Sequence, residues 1–567
     1  MPDSKKSVLK NIIALLKPYR FAIFSSLFLS VLITFLCVIL PNISRKLIDE
    51  GLLIGNIKTV CIFSSVIATI GLIIAILTFV QKVIHQKVQN DMQKSLSATT
   101  FEHLMKLELK YFEESSTLSL ITSVNVAIRE MCESANEQFL NIVLEILKMC
   151  GGIVGLAIID IRLTPIVIFI AVVRFFFAKM LRDKRNGLFE KMVEISMEIS
   201  AWCSDVLSGI RIVKLWNLSK TAEYIKLVDK DISSSEQYGR LFMAEECITA
   251  ICDTLLTFGL YILGAIMVAN HSLTVGGLLA FITYSSYVVS PISSFIQLGY
   301  QISKIQPSIQ IYNDFLEMSE EESETTNGAT LFQIDHINTI NFNHVSWCAY
   351  EQIIIKDISF TLRRNETVAF VGHNGCGKST IIDLLLRFKK PTTGYIDFDH
   401  TNIENIPLSA YRNLLAVVEQ ECFLFSTNVE NNLLAKSPIN LSDEKLPKWL
   451  VSQIMEFPQG LLTKTGQDGA LVSGGEKQKI TFLRGLLKEN TKILILDEPT
   501  SNYDITSEKL FNKSVVEINY DYVVVVTHRP DILKTVDKII IIDDGSIVAE
   551  GSYQELSKQK LLDKYIN

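Results

Sequence analysis

Several features that define specialised proteins are scarce or absent in this sequence. Charged residues make up only 20% of the 567 residues, Gly and Pro number 27 and 13, and none of the ten cysteines form a Cys-x-x-Cys pair. Disordered chains need more charge, collagen-like chains need more glycine and proline, and zinc or disulfide scaffolds need closely spaced cysteines. A net charge of −7 gives no support to a nucleic-acid partner.

The first half of the sequence contains a series of long apolar runs. Ala22–Leu40 and Thr59–Gln81 carry no charged residue, and each is close to the roughly 20 residues that cross a bilayer as a helix. Similar runs, some with isolated charges, continue to about residue 298. We therefore predict a domain in the lipid bilayer over 21–316, with six spans at approximately 21–41, 59–81, 138–159, 163–181, 247–269 and 275–298.

Two segments flank this predicted domain. In residues 1–20, leucine and isoleucine alternate with lysine, which predicts an interfacial elbow helix with a basic rim. Residues 317–329 are acidic and polar with no apolar anchor, which is typical of a linker. The remainder, 330–567, has the composition of a soluble α/β domain.

The distribution of lysine and arginine predicts the orientation in the membrane. These residues concentrate in the long loops after spans 2 and 4, whereas the connections 3–4 and 5–6 contain only Arg162. Cytoplasmic loops carry the excess of basic residues. We therefore place the N-terminus, both long loops and the C-terminal domain in the cytoplasm of a multi-pass cell-membrane protein. The first outer loop, with Arg45, Lys46 and Lys58, is the exception.

Charged residues inside the apolar runs are candidates for a substrate pathway. Glu145, Arg174 and Asp253 fall at membrane depth, where a charge is costly unless it is paired or faces water. We expect Glu145 to pair with Arg174 or Lys148, and Asp253 to face a central cavity. The alternative is that these residues form purely structural pairs.

A phosphate-binding loop begins the chemistry of the C-terminal domain. The apolar strand Val368–Val371 runs into a segment of the form G-x-x-x-x-G-K-S, and a helical pattern follows. Its backbone amides and helix N-terminus suit a phosphate, Lys378 suits the β- and γ-phosphates, and Ser379 suits Mg²⁺. The predicted nucleotide-binding residues are Gly372, His373, Asn374, Gly375, Cys376, Gly377, Lys378, Ser379 and Thr380.

Two further apolar strands end in residues with catalytic potential. Ile493–Leu496 is followed by Asp497 and Glu498, and Val523–Val526 is followed by Thr527 and His528. Open α/β sheets place their sites at strand carboxyl ends. We predict that Asp497 contacts Mg²⁺ in its outer shell and that Glu498 is the base that orients water.

The order of these motifs resembles the ATP-binding cassette (ABC) exporters. Ser473, Gly474, Gly475 and Glu476 are similar to the signature loop of that family, with Val472 and Glu476 in place of Leu and Gln. Other matching segments are Gln420 in a Q-loop, Asp504 in a D-loop, His528 as the switch histidine, and the cytoplasmic-loop segments Tyr111–Glu113 and Ser208–Lys214.

The resemblance implies a fold and a function. The fold is an all-α six-helix transmembrane domain followed by an α/β P-loop ATPase domain. Gln420, Glu498 and His528 are implied in catalysis, with Gln420 also a Mg²⁺ ligand beside Ser379 and Asp497. Each ATP lies between one P-loop and Ser473, Gly474, Gly475, Glu476 and Asp504 of a second cassette.

The implied working unit has two chains. A homodimer is favoured over a pair with a homologous half-transporter, because Lys378, Asp497, Glu498 and His528 are all present. The expected activity is ATP-driven export of a peptide, a lipid or a hydrophobic small molecule. The alternative is an ATP-gated channel or a regulatory subunit of a heterodimer.

Two further positions depart from the family pattern. The expected adenine-stacking position holds Ala349, so we assign that role to Tyr350, one residue later, and expect Trp347 to be a packing residue. Before the signature, Gly466 is followed by Gln467 where glutamate is common.

Overall fold

The computed structural model describes residues 17–114, 117–321, 337–349, 352–434, 441, 446–518 and 520–566. It contains two compact units, Met1–Glu320 and Glu321–Asn567. Most of the predicted elbow helix, at 1–16, lies outside the described residues, as do 322–329 of the predicted linker and Tyr350.

The first unit is helical. In chain order its helices are α1 (Arg20–Lys46), α2 (Ile57–Leu104), α3 (Lys110–Glu114), α4 (Thr117–Ile159), α5 (Thr164–Ser208), α6 (Ile210–Leu215), α7 (Thr221–Ala269) and α8 (Val275–Leu316), with a π-helical stretch at Leu47–Leu52 after α1. Two of the long helices begin with side-chain caps: Asn56 accepts from the Thr59 amide, and Thr274 accepts from the Gly277 amide.

Within the described residues, five helical segments are long and apolar enough to cross a membrane. They are Lys17–Leu52, Ile57–Leu104, Thr164–Leu181, Thr221–Ala269 and Val275–Ile292. Large apolar side chains such as Phe21 and Phe79 are more than 60% exposed on them, as expected where lipid replaces water. The predicted span 138–159 lies in α4, whose side chains at 134–142 are not described, and it stays a prediction.

Hydrogen bonds between buried polar side chains connect α1 and α2. The Gln81 amide nitrogen donates to Ser30 Oγ at 2.7 Å, and His85 Nε2 lies 2.5 Å from Ser26 Oγ. Ser26, Ser30 and Gln81 are buried. In apolar surroundings, polar contacts of this kind hold helices together where hydrophobic burial contributes little.

A ladder of side-chain pairs joins the antiparallel helices α5 and α7. Two arginines on α5 form ion pairs with acidic residues on α7. Farther along the two helices, an acidic residue on α5 pairs with a lysine on α7. The ion pairs are Arg174–Asp253 at 2.8 Å, Arg185–Glu245 at 2.7 Å and Glu198–Lys230 at 2.7 Å. The ring pairs Phe189–Tyr238 and Trp202–Tyr224 lie between and beyond them. This alternation fixes the register of α5 against α7.

The three charges predicted for a substrate pathway are therefore all paired. Glu145 contacts Lys148 one turn along α4 at 3.1 Å, which is one of the two expected partners. Arg174 takes Asp253 as a partner. The Asp253 side chain is still 52% exposed, so one face of the pair is open. Whether that face lines a pathway stays a prediction.

The second unit is an α/β domain with two sheets. The four-stranded sheet has the order β2-β1-β4-β5 and the six-stranded sheet has the order β10-β9-β3-β8-β7-β6. The strands are β1 (Thr339–Ala349), β2 (Gln352–Arg363), β3 (Glu366–Val371), β4 (Thr393–Phe398), β5 (Thr401–Asn402), β6 (Leu415–Val418), β7 (Ile493–Asp497), β8 (Tyr522–Val526), β9 (Lys538–Asp543) and β10 (Ser546–Gly551).

Within its described residues, this unit also contains eight α-helices. They are α9 (Lys378–Leu385), α10 (Leu408–Asn413), α11 (Val429–Asn432), α12 (Lys448–Met455), α13 (Gly474–Leu486), α14 (Ile505–Glu517), α15 (Pro530–Leu533) and α16 (Tyr553–Lys558). β8 is buried along its whole length and β7 at all but its last residue, which explains their continuous apolar sequences.

Strand order decides which loops meet. β3 pairs in parallel with β8, and β8 pairs in parallel with β7, so their carboxyl ends lie side by side. The segments that follow them begin at Gly372, Thr527 and Glu498. The sheet therefore brings the P-loop, His528 and Glu498 to one edge.

Asp253→Asn tests the contribution of the α5–α7 ladder. Arg174 is only 7% exposed, so the substitution removes a charged partner from a buried guanidinium. We expect a loss of about 1–3 kcal/mol, less than for a fully buried pair because Asp253 is half exposed. Thermal unfolding of the detergent-purified protein measures this loss.

Glu246→Gln is the matched control, since Glu246 is an exposed carboxylate on the same helix. It should leave the melting temperature unchanged. Adding Arg174→Gln to Asp253→Asn should be less harmful than the sum of the two single changes. A melting temperature unaffected by Asp253→Asn would show that the pair contributes nothing.

Candidate functional site

The P-loop is shaped by glycines where a side chain cannot fit. A Cβ on Gly372 would lie 2.1 Å from the carbonyl oxygen of Ile542, and Gly377 has φ +105°, which L-residues rarely adopt. α9 begins directly after Gly377, at Lys378. The loop amides and the positive end of α9 thus converge on one point, an arrangement suited to phosphate.

The P-loop opens into a cleft of about 420 Å³. Residues of three strand ends and the Q-loop segment line it together. The lining residues are Ile354, Asn374, Gly375, Gly377, Lys378, Ser379, Thr380, Gln420, Asp497, Glu498, Val526 and His528. Residues predicted from four separate segments of sequence are therefore neighbours in space.

The Lys378 side chain lies across the mouth of the P-loop. Its Nζ donates to the carbonyl oxygens of Gly372 at 2.8 Å and His373 at 2.9 Å. These bonds hold the ammonium group over the loop amides. Cys376, also predicted to bind nucleotide, is buried beneath the loop.

Glu498 is held by two side chains from neighbouring segments. Its Oε2 accepts a 2.9 Å hydrogen bond from the Gln420 amide, and its Oε1 lies 3.3 Å from His528 Nδ1. Glu498 also has a positive φ of 42°, an uncommon conformation for this residue type. This sharp turn at the end of β7 aims the carboxylate into the cleft, which is compatible with its predicted role as a base for water.

Asp497 sits deeper than Glu498. Burial raises its pKa to about 6, with a further rise from the nearby Glu498 charge and an opposing effect from Lys378. A cation beside this carboxylate would favour the ionised form and reverse the shift.

The donor set around Asp497 fits Mg²⁺. Asp497, the Ser379 hydroxyl and Gln420 line the same cleft, and the Gln420 nitrogen is used by Glu498, which leaves its amide oxygen as the ligand atom. Mg²⁺ prefers such oxygen ligands and completes its shell with phosphates and water.

The signature segment begins a helix and is capped by its own residues. Ser473 is the N-cap of α13: its Oγ accepts from the Glu476 amide at 3.3 Å, and Glu476 Oε2 accepts from the Ser473 amide at 2.7 Å. Glu476, unusual for the family, thus completes a capping box. Of the two lysines that follow it closely, Lys477 donates to the Asp468 carbonyl oxygen, and Lys479 Nζ lies over the Tyr503 ring.

Sequence reasoning missed Gln478, which links the signature helix to the D-loop. Its Nε2 donates to Ser501 Oγ at 2.7 Å, and its Oε1 accepts from the Asn502 amide at 3.2 Å. Asp504, two residues farther on, caps α14 by accepting from the Ser507 amide. The one signal in the sequence was the position of Gln478, one turn into the helix after Gly475.

Arg529 is a second residue that sequence reasoning missed. It follows the switch histidine and forms an ion pair with Glu508 of α14.

Near the predicted adenine position, Trp347 is partly buried and packs on the sheet core as expected, with Lys389 Nζ 4.9 Å from its ring centre. Tyr350 lies outside the described residues, so its adenine role stays a prediction.

Comparison with known proteins gives matches over both units. The family model for the ABC transporter transmembrane region matches residues 23–292, and the ABC transporter model matches residues 355–501. ATP-dependent lipid A-core flippase 1 of Colwellia psychrerythraea is 26% identical over 96% of this chain and 93% of its own. YgaD of Bacillus subtilis, provisionally named a multidrug export ATP-binding/permease protein, is 25% identical over 97% of each chain.

A solved structure gives the same fold. A bacterial Atm1-family ABC exporter with ATP bound superposes with a TM-score of 0.82 over 96% of this chain and 98% of its own, at 20% identity. The predicted fold class, a helical membrane region followed by an α/β ATPase domain, is confirmed.

Glu498→Gln tests the catalytic assignment. Glutamine keeps the size and the contact with His528 but cannot take a proton from water. We expect ATP hydrolysis in lipid vesicles to fall about 10²–10⁴-fold, with ATP binding retained because the P-loop is unchanged. Glu517→Gln, an exposed carboxylate on α14, is the control and should hydrolyse ATP normally. Near wild-type turnover by the Glu498 variant would refute the assignment.

Proposed function

Because the chain belongs to the ABC transporter family, with its membrane region and its ATPase domain on one polypeptide, we propose that two copies of it form the working exporter. The activity is ATP-driven export across a membrane. In the proposed dimer, each chain supplies a P-loop to one ATP and a signature segment to the other. The observation that carries the assignment of the ATPase site is the Glu498 carboxylate, held by Gln420 and His528 in the P-loop cleft.

The proposed hydrolysis uses groups that already converge on the cleft. The P-loop amides and Lys378 bind the phosphates, and Glu498 accepts the proton of the water that attacks the γ-phosphate. His528 keeps the Glu498 carboxylate in place from its other side. Mg²⁺, held by Ser379, Gln420 and Asp497 in our proposal, neutralises phosphate charge when bound.

The proposal of a homodimer rests on the presence of all the nucleotide-side residues of the site in one chain. Lys378, Asp497, Glu498 and His528 share one cleft or its rim, so the chain needs no partner to supply them. Its unusual signature residue, Glu476, completes a helix cap and leaves Gly474 and Gly475 at the start of α13. A homodimer therefore has two equivalent sites, whereas a heterodimer with a homologous half-transporter would use this signature once.

We propose a lipid or hydrophobic small molecule as cargo ahead of a peptide, because the relatives are named for lipid A-core and multidrug export. The Arg174–Asp253 pair, in which only the Asp253 side chain is half exposed, and the Glu145–Lys148 pair are the proposed polar contacts of the pathway. The proposed location is the cell membrane, with the N-terminus and the ATPase domain in the cytoplasm.

Expressing the chain alone tests the homodimer. We expect a particle of two chains in lipid nanodiscs that hydrolyses ATP unaided, and in the Glu498→Gln form we expect it to retain two ATP per particle. Adding Ser473→Ala to Glu498→Gln is the control, since it removes a proposed γ-phosphate donor and should reduce retention. A chain that is inactive until a homologous half-transporter is added would contradict the proposal.

Glu476→Gln tests whether the signature limits the site. The glutamine oxygen can still accept from the Ser473 amide, so the helix cap should survive. Removing a negative charge near the γ-phosphate should lower the KM for ATP, by about 2- to 5-fold for a partly screened charge contact. Glu430→Gln, exposed and outside the signature, should leave KM unchanged. An unchanged KM in the Glu476 variant would show that its charge has no effect on the nucleotide.

A further inference from the structure

A residue that follows the short helical turn Leu562–Lys564 packs against the P-loop. The Tyr565 ring lies 4.8 Å from the His373 ring, centre to centre, with 50° between their planes. Tyr565 follows the short helical turn Leu562–Lys564 and is 8% exposed. A P-loop side chain is thus in contact with an aromatic residue 192 positions later in the sequence.

Tyr565 is itself fixed by the end of β9. Its hydroxyl donates to Asp543 Oδ2 at 2.8 Å, and Lys564 Nζ lies 3.4 Å from the same oxygen. The hydrogen bond from Tyr565 lowers the pKa of Asp543, with smaller contributions from Lys564 and His373. Asp543 therefore stays a charged acceptor, and charged acceptors make the stronger hydrogen bonds.

The same strand end supports the P-loop at two other points. The Ile542 carbonyl abuts Gly372 so closely that no side chain fits between them, and the Gly545 amide donates to the Cys376 carbonyl at 3.2 Å. Gly372, His373 and Cys376 are thus supported by residues 542–545 and Tyr565. Ile542 and Gly545 make their contacts through backbone atoms, whereas Tyr565 contacts His373 through its side chain.

His373 matters because its peptide group belongs to the phosphate cradle. Lys378 donates to its carbonyl and to that of Gly372, so the orientation of these peptides is coupled to the lysine. Rotation of the His373 side chain away from Tyr565 would loosen the start of the loop. Glu498, Gln420 and His528 stand on other segments, so the chemical step does not depend on this contact.

We propose that Tyr565 is a positioning residue that holds His373 and thereby keeps the P-loop in its phosphate-binding shape. The inference rests on the proposed role of residues 372–380 as the phosphate cradle. Tyr565 does not touch the nucleotide in this account. It acts on ATP affinity and leaves the hydrolysis step unchanged.

The test compares variants of the full chain in lipid nanodiscs. In Tyr565→Ala we expect the KM for ATP to rise about 2- to 10-fold, which corresponds to the free energy of one aromatic pair. The Kd for trinitrophenyl-ATP should rise by the same factor. The kcat at saturating ATP should equal that of the wild type. Tyr565→Phe keeps the ring and should restore most of the affinity. Tyr553→Ala, on α16 and packed on the same core, is the control and should bind ATP normally.

Two further variants keep the test decisive if Tyr565→Ala unfolds. Tyr565→Leu preserves apolar volume in the core, and His373→Ala removes the other ring without altering Tyr565. Both should raise KM, and combining them should add little to the larger single effect. A wild-type KM for ATP in Tyr565→Ala, Tyr565→Leu and His373→Ala overturns the proposal. An equal loss of ATP affinity in Tyr553→Ala also overturns it, as does a change that lowers only kcat.

Lys378→Ala separates this proposal from the assignment on which it rests. If that variant loses ATP binding while the Tyr565 and His373 variants bind normally, the cradle is correct and the supporting role of Tyr565 is wrong. If Lys378→Ala also binds ATP normally, the cradle itself is wrong.

Discussion

The site depends on the parallel pairing of three buried strands. β8 lies between β3 and β7, and all three run in one direction. Their residues are almost entirely apolar and inaccessible to water, so burial on both faces fixes their alignment. The P-loop, the Glu498 carboxylate and His528 then meet because each begins where its strand ends. The polar contacts of Glu498 refine this arrangement, but the sheet creates it.

The parts of the site that were predictable from sequence are those with local signatures. The P-loop is a continuous motif between a strand and a helix, and Glu498 and His528 each follow an unmistakable apolar strand. The same applies to the membrane half, where apolar runs predicted five helices that the structure contains and a sixth that lies partly outside the described side chains. Length and hydropathy are properties of a segment and require no knowledge of its neighbours.

The contacts that sequence reasoning missed join residues far apart in the chain. Gln478 meets Ser501 across a connection of 23 residues, and Tyr565 meets His373 only because β9 lies beside β3. Arg174 posed a different difficulty: several charges fall at similar depth, and depth alone does not choose among them. Helix packing decides that choice, because α5 and α7 run side by side in a register that sets Arg174 opposite Asp253.

The α5–α7 ladder makes two helices behave mechanically as one rod. Its ion pairs and ring contacts extend from Arg174–Asp253 to Trp202–Tyr224, and each helix has more than 40 residues. The ladder covers residues 174–202 of α5, which is roughly 42 Å at 1.5 Å per residue. A tilt of about 5° at one end would displace the other by about 4 Å, which is close to the diameter of a methyl group. A paired rod of this length resists bending, so a small rotation at one end of the ladder is carried to the other end.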